Sequence, residues 1–133
     1  MDYGLDTSAL LRIVTSDPPS LAVKVARAIQ LIVEDGGILH VSDLVVQEAY
    51  FALQHHYGST KENAIADLLA ISNAEGFHFS SGAKAVLSEP HAARMAPGLV
   101  DRMIVADYDA KGFHTLSCEK SFRRLPSALV ITE

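Results

Sequence analysis

Short runs of apolar residues alternate along the chain with longer segments in which apolar residues recur every three or four positions. A short unbroken apolar run is typical of a buried strand, and the wider spacing is typical of one face of a helix. The clearest helical stripe lies between residues 20 and 35 and consists of Leu21, Val25, Ile29 and Val33. A pair of glycines follows this stripe and ends the predicted helix.

The whole pattern predicts strands at residues 2–5, 38–41, 76–80, 114–117 and 128–131. It predicts helices at residues 7–14, 20–35, 44–58, 60–72 and 99–112, and a further helix followed by a loop within 82–98. Short apolar strands that alternate with helices indicate a parallel sheet covered by helices on both faces. The expected fold is therefore α/β, with residues 1–133 forming a single domain.

The length and composition support one globular domain with an apolar surface. The 133 residues are enough for one hydrophobic core and too few for two ordinary ones. Hydrophobic residues make up 49% of the chain and charged residues 20%, which is a globular composition. The mean hydropathy of +0.19 is slightly apolar for a monomer. We therefore expect a surface patch that takes a partner or a second copy, with a homodimer as the default.

Charge, cysteine content and the length of the apolar runs exclude several classes of protein. The formal net charge of -5 argues against a general polyanion binder, so contact with a nucleic acid would need a metal ion as mediator. Cys118 is the only cysteine, so no internal disulfide forms and a cytoplasmic location fits best. Charged residues or glycines interrupt every apolar run before the ~20 residues that span a bilayer, and we expect no membrane segment.

Asp6 stands where the first strand gives way to the first helix, in the stretch YGLDTSALL. Aspartate is a favoured helix N-cap, which stabilises a helix by about 1 kcal/mol. The carboxyl ends of parallel strands are also where ligands gather in an open α/β sheet. Asp6 by itself therefore leaves two roles open, a helix cap and a ligand.

Glu48 lies three residues after Val45 and four after Leu44. Helical spacing puts it along the apolar stripe that we expect to face the sheet, where a carboxylate is unusual. A structural alternative is a glutamate at the edge of the stripe that reaches solvent or forms an ion pair.

Asp101 and Glu119 extend the set of acids. Asp101 precedes Ile104, Val105 and Tyr108 at helical spacing, and as a first-turn acid it also suits the helix dipole. Glu119 follows the strand at 114–117 by two residues, where an ordinary loop acid is the structural alternative. We expect both to project toward the same edge of the sheet as Asp6 and Glu48.

Several carboxylates at close range repel one another, so such a cluster needs a cation. Mg²⁺ or Mn²⁺ held by a few carboxylates and waters leaves positions for phosphate oxygens. Such an ion polarises a phosphoryl group, generates hydroxide and stabilises the leaving oxygen, which is the chemistry of phosphodiester hydrolysis. The acids therefore predict a metal-dependent nuclease.

In order along the chain, these segments resemble a PIN-domain ribonuclease of the VapC type, the toxin of prokaryotic toxin–antitoxin pairs. LDTSALLRIV followed by SDPP resembles the family's opening strand, first acid and first helix. VSDLVVQEAYFALQHHYGSTKENA resembles its second strand and the helix with the second acid. GLVDRMIVADYDAKGFHTLSCEKSF resembles the third-acid helix, the next strand and the fourth-acid loop. The likeness covers almost the whole chain.

This resemblance implies a three-layer α/β/α sandwich with a central parallel sheet and Mg²⁺- or Mn²⁺-dependent cleavage of RNA. It also implies a cognate antitoxin whose segment occupies the active-site groove. The catalytic and metal-binding residues carried over are Asp6, Glu48, Asp101 and Glu119. Glu119 stands where the family more often has aspartate, and it supports a metal ion or the attacking water.

Further positions are assigned around these acids. Ser8 and Ser117 fall where the family has small polar residues that orient a ligand or a water. The candidates for contact with RNA phosphates, near the first and fourth acids in chain order, are Arg12, Lys120, Arg123 and Arg124. Asp107 and Asp109 lie further along the third-acid helix and are expected to be surface acids.

Other functions remain compatible with the residues. A PIN-like fold without catalysis would serve as a binding module, and a nuclease of this type would also act in RNA processing or on DNA. A zinc site is disfavoured, because the adjacent His55 and His56 diverge by about 100° on a helix and no HExxH motif occurs.

Overall fold

All the strands pair in parallel, which confirms the predicted α/β class. They form two sheets, one ordered β1 (Tyr3–Gly4), β2 (Leu39–Val41), β3 (Phe77–Phe79) and the other pairing β4 (Thr115–Ser117) with β5 (Ala128–Val130). The parallel strand pairing predicted from the alternation of strands and helices is thus confirmed within each unit. An apolar run indicates that a strand is buried but not which strand it pairs with.

The computed structural model describes residues 1–133, which fall into two units, Met1–Ser80 and Ser81–Glu133. The helices of the first unit are α1 (Thr7–Thr15), α2 (Pro19–Glu34), α3 (Asp43–His55) and α4 (Lys61–Ser72). They confirm the helices predicted from apolar spacing to within a few residues at each end.

Side-chain oxygens cap three of these helices. Asp6 caps α1, and Thr60 caps α4 by accepting a hydrogen bond from the Asn63 backbone N–H at 3.1 Å. Ser42 caps α3 by accepting a hydrogen bond from the Val45 backbone N–H at 3.3 Å, although Asp43 beside it also carries a side-chain oxygen. Asp43 is therefore left for other contacts.

The core of the first unit lies between its sheet and the helices. Leu10 of α1, Leu39 of β2, Val46 of α3 and Leu68 of α4 are fully buried. Helix α2 differs, because none of its residues is buried and Leu21, in the predicted apolar stripe, is 43% exposed. Periodicity therefore located the helix correctly but overstated the burial of its apolar face.

The second unit contains α5 (Ser81–Leu87), α6 (Leu99–Ala110), and the 3₁₀ helices Ala92–Arg94 and Lys120–Arg124. Helices α5 and α6 pack closely, and a Cβ at Gly82 would lie 3.1 Å from the Cβ of Ala106. No helix in the chain is both long enough and apolar enough to cross a membrane.

The two faces of the strands β4 and β5 differ in exposure. Leu116 and Leu129 are neighbours in register, and they are 70% and 59% exposed. Thr115, whose side chain points to the opposite face, is buried. The prediction of two buried strands is therefore wrong for the face with the leucines.

Candidate active site

Asp6 is fixed by the first turn of α1. Its Oδ1 accepts the backbone N–H of Ala9 at 2.9 Å and the hydroxyl of Ser8 at 2.8 Å. These two hydrogen bonds favour the ionised form and lower the pKa of Asp6 below its ordinary value, with the Ala9 N–H as the larger cause. Asp6 therefore caps the helix with one oxygen and leaves Oδ2 without a donor from the chain.

Glu48 is held near the start of α1 by a residue that sequence reasoning missed. The Thr7 hydroxyl donates a hydrogen bond to Glu48 Oε1 at 3.3 Å, so the residue next to Asp6 touches the second acid. The available signal was the position of Thr7, directly after an acid that follows a strand. Asp6 and Glu48 thus belong to one neighbourhood of the first unit.

The predicted orientation of Glu48 toward the sheet is wrong. The buried side of α3 consists of Val46, Ala49, Tyr50 and Leu53, and Glu48 is exposed. With about 100° per residue, Glu48 lies about 160° from both Val46 and Tyr50. Several apolar positions on α3 satisfy helical spacing, and the stripe with Leu44, which is 65% exposed, is not the packed one.

Asp101 lies in the first turn of α6, as predicted, and is half-buried. Only part of its predicted stripe packs inward, because Val105 is buried whereas Ile104 and Tyr108 are 39% and 40% exposed. The backbone residue that caps α6 is Gly98, which supplies no side-chain oxygen. Asp101 is therefore the acid nearest the amino end of this helix and suits its dipole.

Glu119 lies in the turn between β4 and the following 3₁₀ helix and is exposed. The hydroxyl of Ser117 accepts the Glu119 backbone N–H at 3.0 Å, so Ser117 holds the turn that carries the acid. Phe122, three residues later, is buried. Its backbone N–H donates a hydrogen bond to the Glu119 carbonyl at 3.1 Å, which closes the turn.

The carboxylates of the first unit supply some, but not all, of the ligands that a hard divalent ion takes. Within neither unit do three His, Cys, Asp or Glu side chains lie close enough to hold a metal ion together. Asp6 Oδ2 and Glu48 Oε2 accept no hydrogen bond from the chain. Because Mg²⁺ commonly keeps several waters and takes only one or two protein carboxylates, these two oxygens are chemically suitable ligands.

Arg12, a candidate for RNA contact, is engaged within the first unit. It donates a hydrogen bond to the Tyr57 hydroxyl at 2.8 Å, and its Nε is buried without a partner. It also lines a cavity of about 260 Å³ beside α2, together with Ile13 and Val23.

The basic residues after Glu119 differ in whether their side chains form hydrogen bonds within the chain. Arg123 donates to the Thr132 hydroxyl at 3.1 Å, and Arg124 reaches the Ala96 carbonyl at 3.5 Å. Lys120 is exposed and lines a cavity of about 560 Å³ with Cys118. Of the expected surface acids, Asp107 is bonded to Lys111 at 3.0 Å.

Comparison with known proteins gives a family match over nearly the whole chain. A family model described as PIN domain matches residues 3–127. Among solved structures, a chain from the crystal structure of VapBC2 from Rickettsia felis bound to a DNA fragment from their promoter is 16% identical. That alignment covers 99% of this chain and 98% of the other, with a TM-score of 0.44. No curated protein matches the sequence.

Proposed function

The chain belongs to the PIN domain family, and on that premise we propose that it is a divalent-metal-dependent endoribonuclease that hydrolyses RNA phosphodiester bonds. PIN domains are generally nucleases, and these nucleases generally use divalent metal ions. The observation that carries the proposal is the neighbourhood of Asp6 and Glu48, each with a carboxylate oxygen free of protein donors.

Asp6 and Glu48 would hold Mg²⁺ or Mn²⁺ in the first unit. A bound ion of this kind polarises a phosphoryl oxygen and lowers the pKa of a water. The sequence assigns Asp101 and Glu119 to the same chemistry, and that assignment is part of the proposal. The acids at these positions give RNA, itself an anion, no favourable contact without a cation.

Neighbouring residues prepare these acids for the role. The Ala9 N–H and the Ser8 hydroxyl stabilise the charged form of Asp6 and lower its pKa. The Thr7 hydroxyl restricts the Glu48 carboxylate, and Ser117 restricts the backbone of Glu119. Restricting ligands before the ion arrives lowers the entropy lost on binding.

We further propose that the protein is the toxin of a prokaryotic type II toxin–antitoxin pair. The ordered resemblance of its segments to VapC-type toxins supports this role. The exposed apolar side chains of α2, among them Val23 at 68% and Leu31 at 48%, suit contact with an antitoxin or a second copy of the chain.

The test compares RNA cleavage by the purified chain with that of Asp6→Asn, in Mn²⁺ and in EDTA. Asparagine is also a good N-cap, so the substitution removes the charge and preserves the helix start. We expect cleavage to fall at least ~100-fold, consistent with loss of a metal ligand. The matched control is Asp109→Asn, which changes an exposed acid whose side chain makes no hydrogen bond and is expected to leave cleavage unchanged.

Two results would contradict the proposal. Cleavage by Asp6→Asn at the wild-type rate would exclude Asp6 as a metal ligand. A folded wild-type chain that cleaves no RNA in Mg²⁺ or Mn²⁺ would favour a PIN-like binding module.

A further inference from the structure

A cavity of about 630 Å³ opens on the first sheet, on the face opposite its packed side and at the carboxyl end of the strands. Gly4, His40 and His78 are neighbours in register across β1, β2 and β3, and all are exposed. Because Gly4 has no side chain, the β1 side of the His40 ring is left open. Two imidazoles, those of His40 and His78, therefore form the aromatic part of the cavity wall.

The two rings form a corner suited to a flat ligand. Their centroids are 5.4 Å apart, and their planes meet at 65°. His40 Nε2 lies 3.1 Å from Asp2 Oδ2, which fixes the orientation of its ring. A planar group that stacks on one ring therefore presents its edge toward the other.

Asp43 provides the polar side of the same cavity. The Ser80 hydroxyl donates to Asp43 Oδ1 at 2.7 Å, and the Oδ2 atom has no donor from the chain. Since Ser42 caps α3, the Asp43 carboxylate is not needed for that purpose. An ionised carboxylate accepts hydrogen bonds and donates none, so it selects a ligand with donors and disfavours phosphate.

We propose that this cavity binds a guanine base of single-stranded RNA, stacked on the imidazole corner with its N1–H and N2–H groups on Asp43. The inference deepens the proposed ribonuclease function and rests on it for the identity of the polymer. Proteins read unpaired RNA bases by stacking on aromatic rings, including histidine, and by hydrogen bonds to the Watson–Crick edge.

Guanine is the base that matches a carboxylate on this edge. It presents two adjacent donors, which a carboxylate accepts together. Adenine and cytosine place a ring-nitrogen acceptor beside their amino group, and uracil flanks its N3–H with two carbonyl oxygens. Each of those acceptors would face the Asp43 carboxylate and repel it. A guanidinium group offers similar donors, but its charge opposes that of either imidazole when protonated.

The experiment is an NMR titration of the backbone amides of the full chain in EDTA, where no cleavage occurs. The probes are guanosine, inosine and adenosine monophosphates. Inosine monophosphate lacks the N2 amino group and keeps N1–H. We expect the guanosine probe to shift the amides of residues 40–43 and 78–80, and to bind about tenfold more tightly than the inosine probe. The adenosine probe should bind more weakly still.

Variants assign the preference to individual side chains. Asp43→Asn should bring the guanosine and inosine probes to within about twofold of each other. His78→Ala should weaken all three probes together, because stacking does not distinguish purines. The matched control is Asp67→Asn, an exposed acid on α4, and it should bind like the wild type.

Wild-type binding alone decides the proposal if a variant fails to fold. Equal affinity for the three probes, or shifts confined to other residues, would overturn it. Shifts at the same residues with arginine amide but not with guanosine monophosphate would also overturn it and assign the cavity to a guanidinium group. If guanosine monophosphate binds as expected and the wild type cleaves no RNA, the base site stands and the proposed ribonuclease function fails. If RNA is cleaved and no guanine preference appears, only the base site fails.

Discussion

Thr7 and Glu48 are 41 positions apart in the chain, and the Thr7 hydroxyl donates a hydrogen bond to the Glu48 carboxylate at 3.3 Å. This contact joins the first turn of α1 to the middle of α3. Since Asp6 caps α1, the same turn positions two of the proposed metal ligands.

Thr7→Val tests this link, because valine has nearly the same shape and no hydroxyl. We expect Mn²⁺ affinity and RNA cleavage to fall about three- to tenfold, since the hydrogen bond is worth about 1 kcal/mol. Isothermal titration with Mn²⁺ and a cleavage assay measure the two effects. The matched control is Thr115→Val, because the buried Thr115 hydroxyl has no hydrogen-bond partner, and this variant should leave Mn²⁺ affinity and cleavage unchanged. Unchanged Mn²⁺ affinity in Thr7→Val would show that the contact does not position Glu48.

The two roles of Asp6 are separable by substitution. Asp6→Asn should keep the free energy of unfolding within about 0.5 kcal/mol of the wild type, because asparagine caps as well as aspartate. Asp6→Ala should lose about 1 kcal/mol. Both should lose Mn²⁺ binding. Urea unfolding and Mn²⁺ titration together check this, and equal stability of the alanine variant and the wild type would contradict the capping role.

Lowering the pH should reduce the free energy of unfolding, because Asp6 becomes protonated. Its pKa in the folded chain lies below the ordinary value of 3.8, chiefly because of the Ala9 N–H and then the Ser8 hydroxyl. The resulting stabilisation is fully present above pH 3.8 and is lost as the pH falls through the lower, folded-state pKa. In urea unfolding from pH 6 down to about 2, the wild type should therefore lose more stability than Asp6→Asn. Parallel curves would contradict this assignment.

Gly37 lies in a place with no room for a side chain. A Cβ there would be 2.8 Å from Ile32 Cγ2 and closer still to the Met1 carbonyl oxygen. Gly37→Ala should destabilise the first unit by about 1–3 kcal/mol. The matched control is Gly4→Ala, because a Cβ at Gly4 meets only the His40 carbonyl oxygen at 4.0 Å. Similar melting temperatures for the two variants would contradict the expected difference.

Asp101 and Glu119 are tested by Asp101→Asn and Glu119→Gln. If both serve the proposed chemistry, each should lower RNA cleavage by at least ~10-fold, consistent with loss of one charged group at a metal site. Thermal melting should change little for Glu119→Gln, because the Glu119 side chain makes no capping hydrogen bond. Wild-type cleavage by either variant would remove that residue from the site.

The secondary structure of this chain could be predicted because the local signals for helix starts and helix ends agree with the apolar spacing. The Asp6, Ser42 and Thr60 caps each stand directly before an apolar helical segment, and each accepts a backbone N–H in the structure. Glycines at positive φ, such as Gly58 and Gly112, follow the helices that they end. These signals act over a few residues, so they survive without knowledge of the tertiary fold.

The sequence predicted less well which helix faces pack inward and which strands pair. On α3 two overlapping stripes satisfy helical spacing, and only packing against neighbours selects the one with Val46 rather than the one with Leu44. The contact between Thr7 and Glu48 and the corner formed by His40 and His78 depend on pairings between distant segments. No local pattern encodes such pairings.

Asp6 has two roles, the helix cap and the proposed metal ligand, so its presence in a related chain would not by itself indicate catalysis. A descendant that had abandoned catalysis would still be under selection for a capping oxygen at position 6, because α1 starts there. Mutational drift at this position would then favour asparagine, serine or threonine over alanine. Loss of activity in such a lineage would be recorded first at Glu48, which is exposed and supports no helix end.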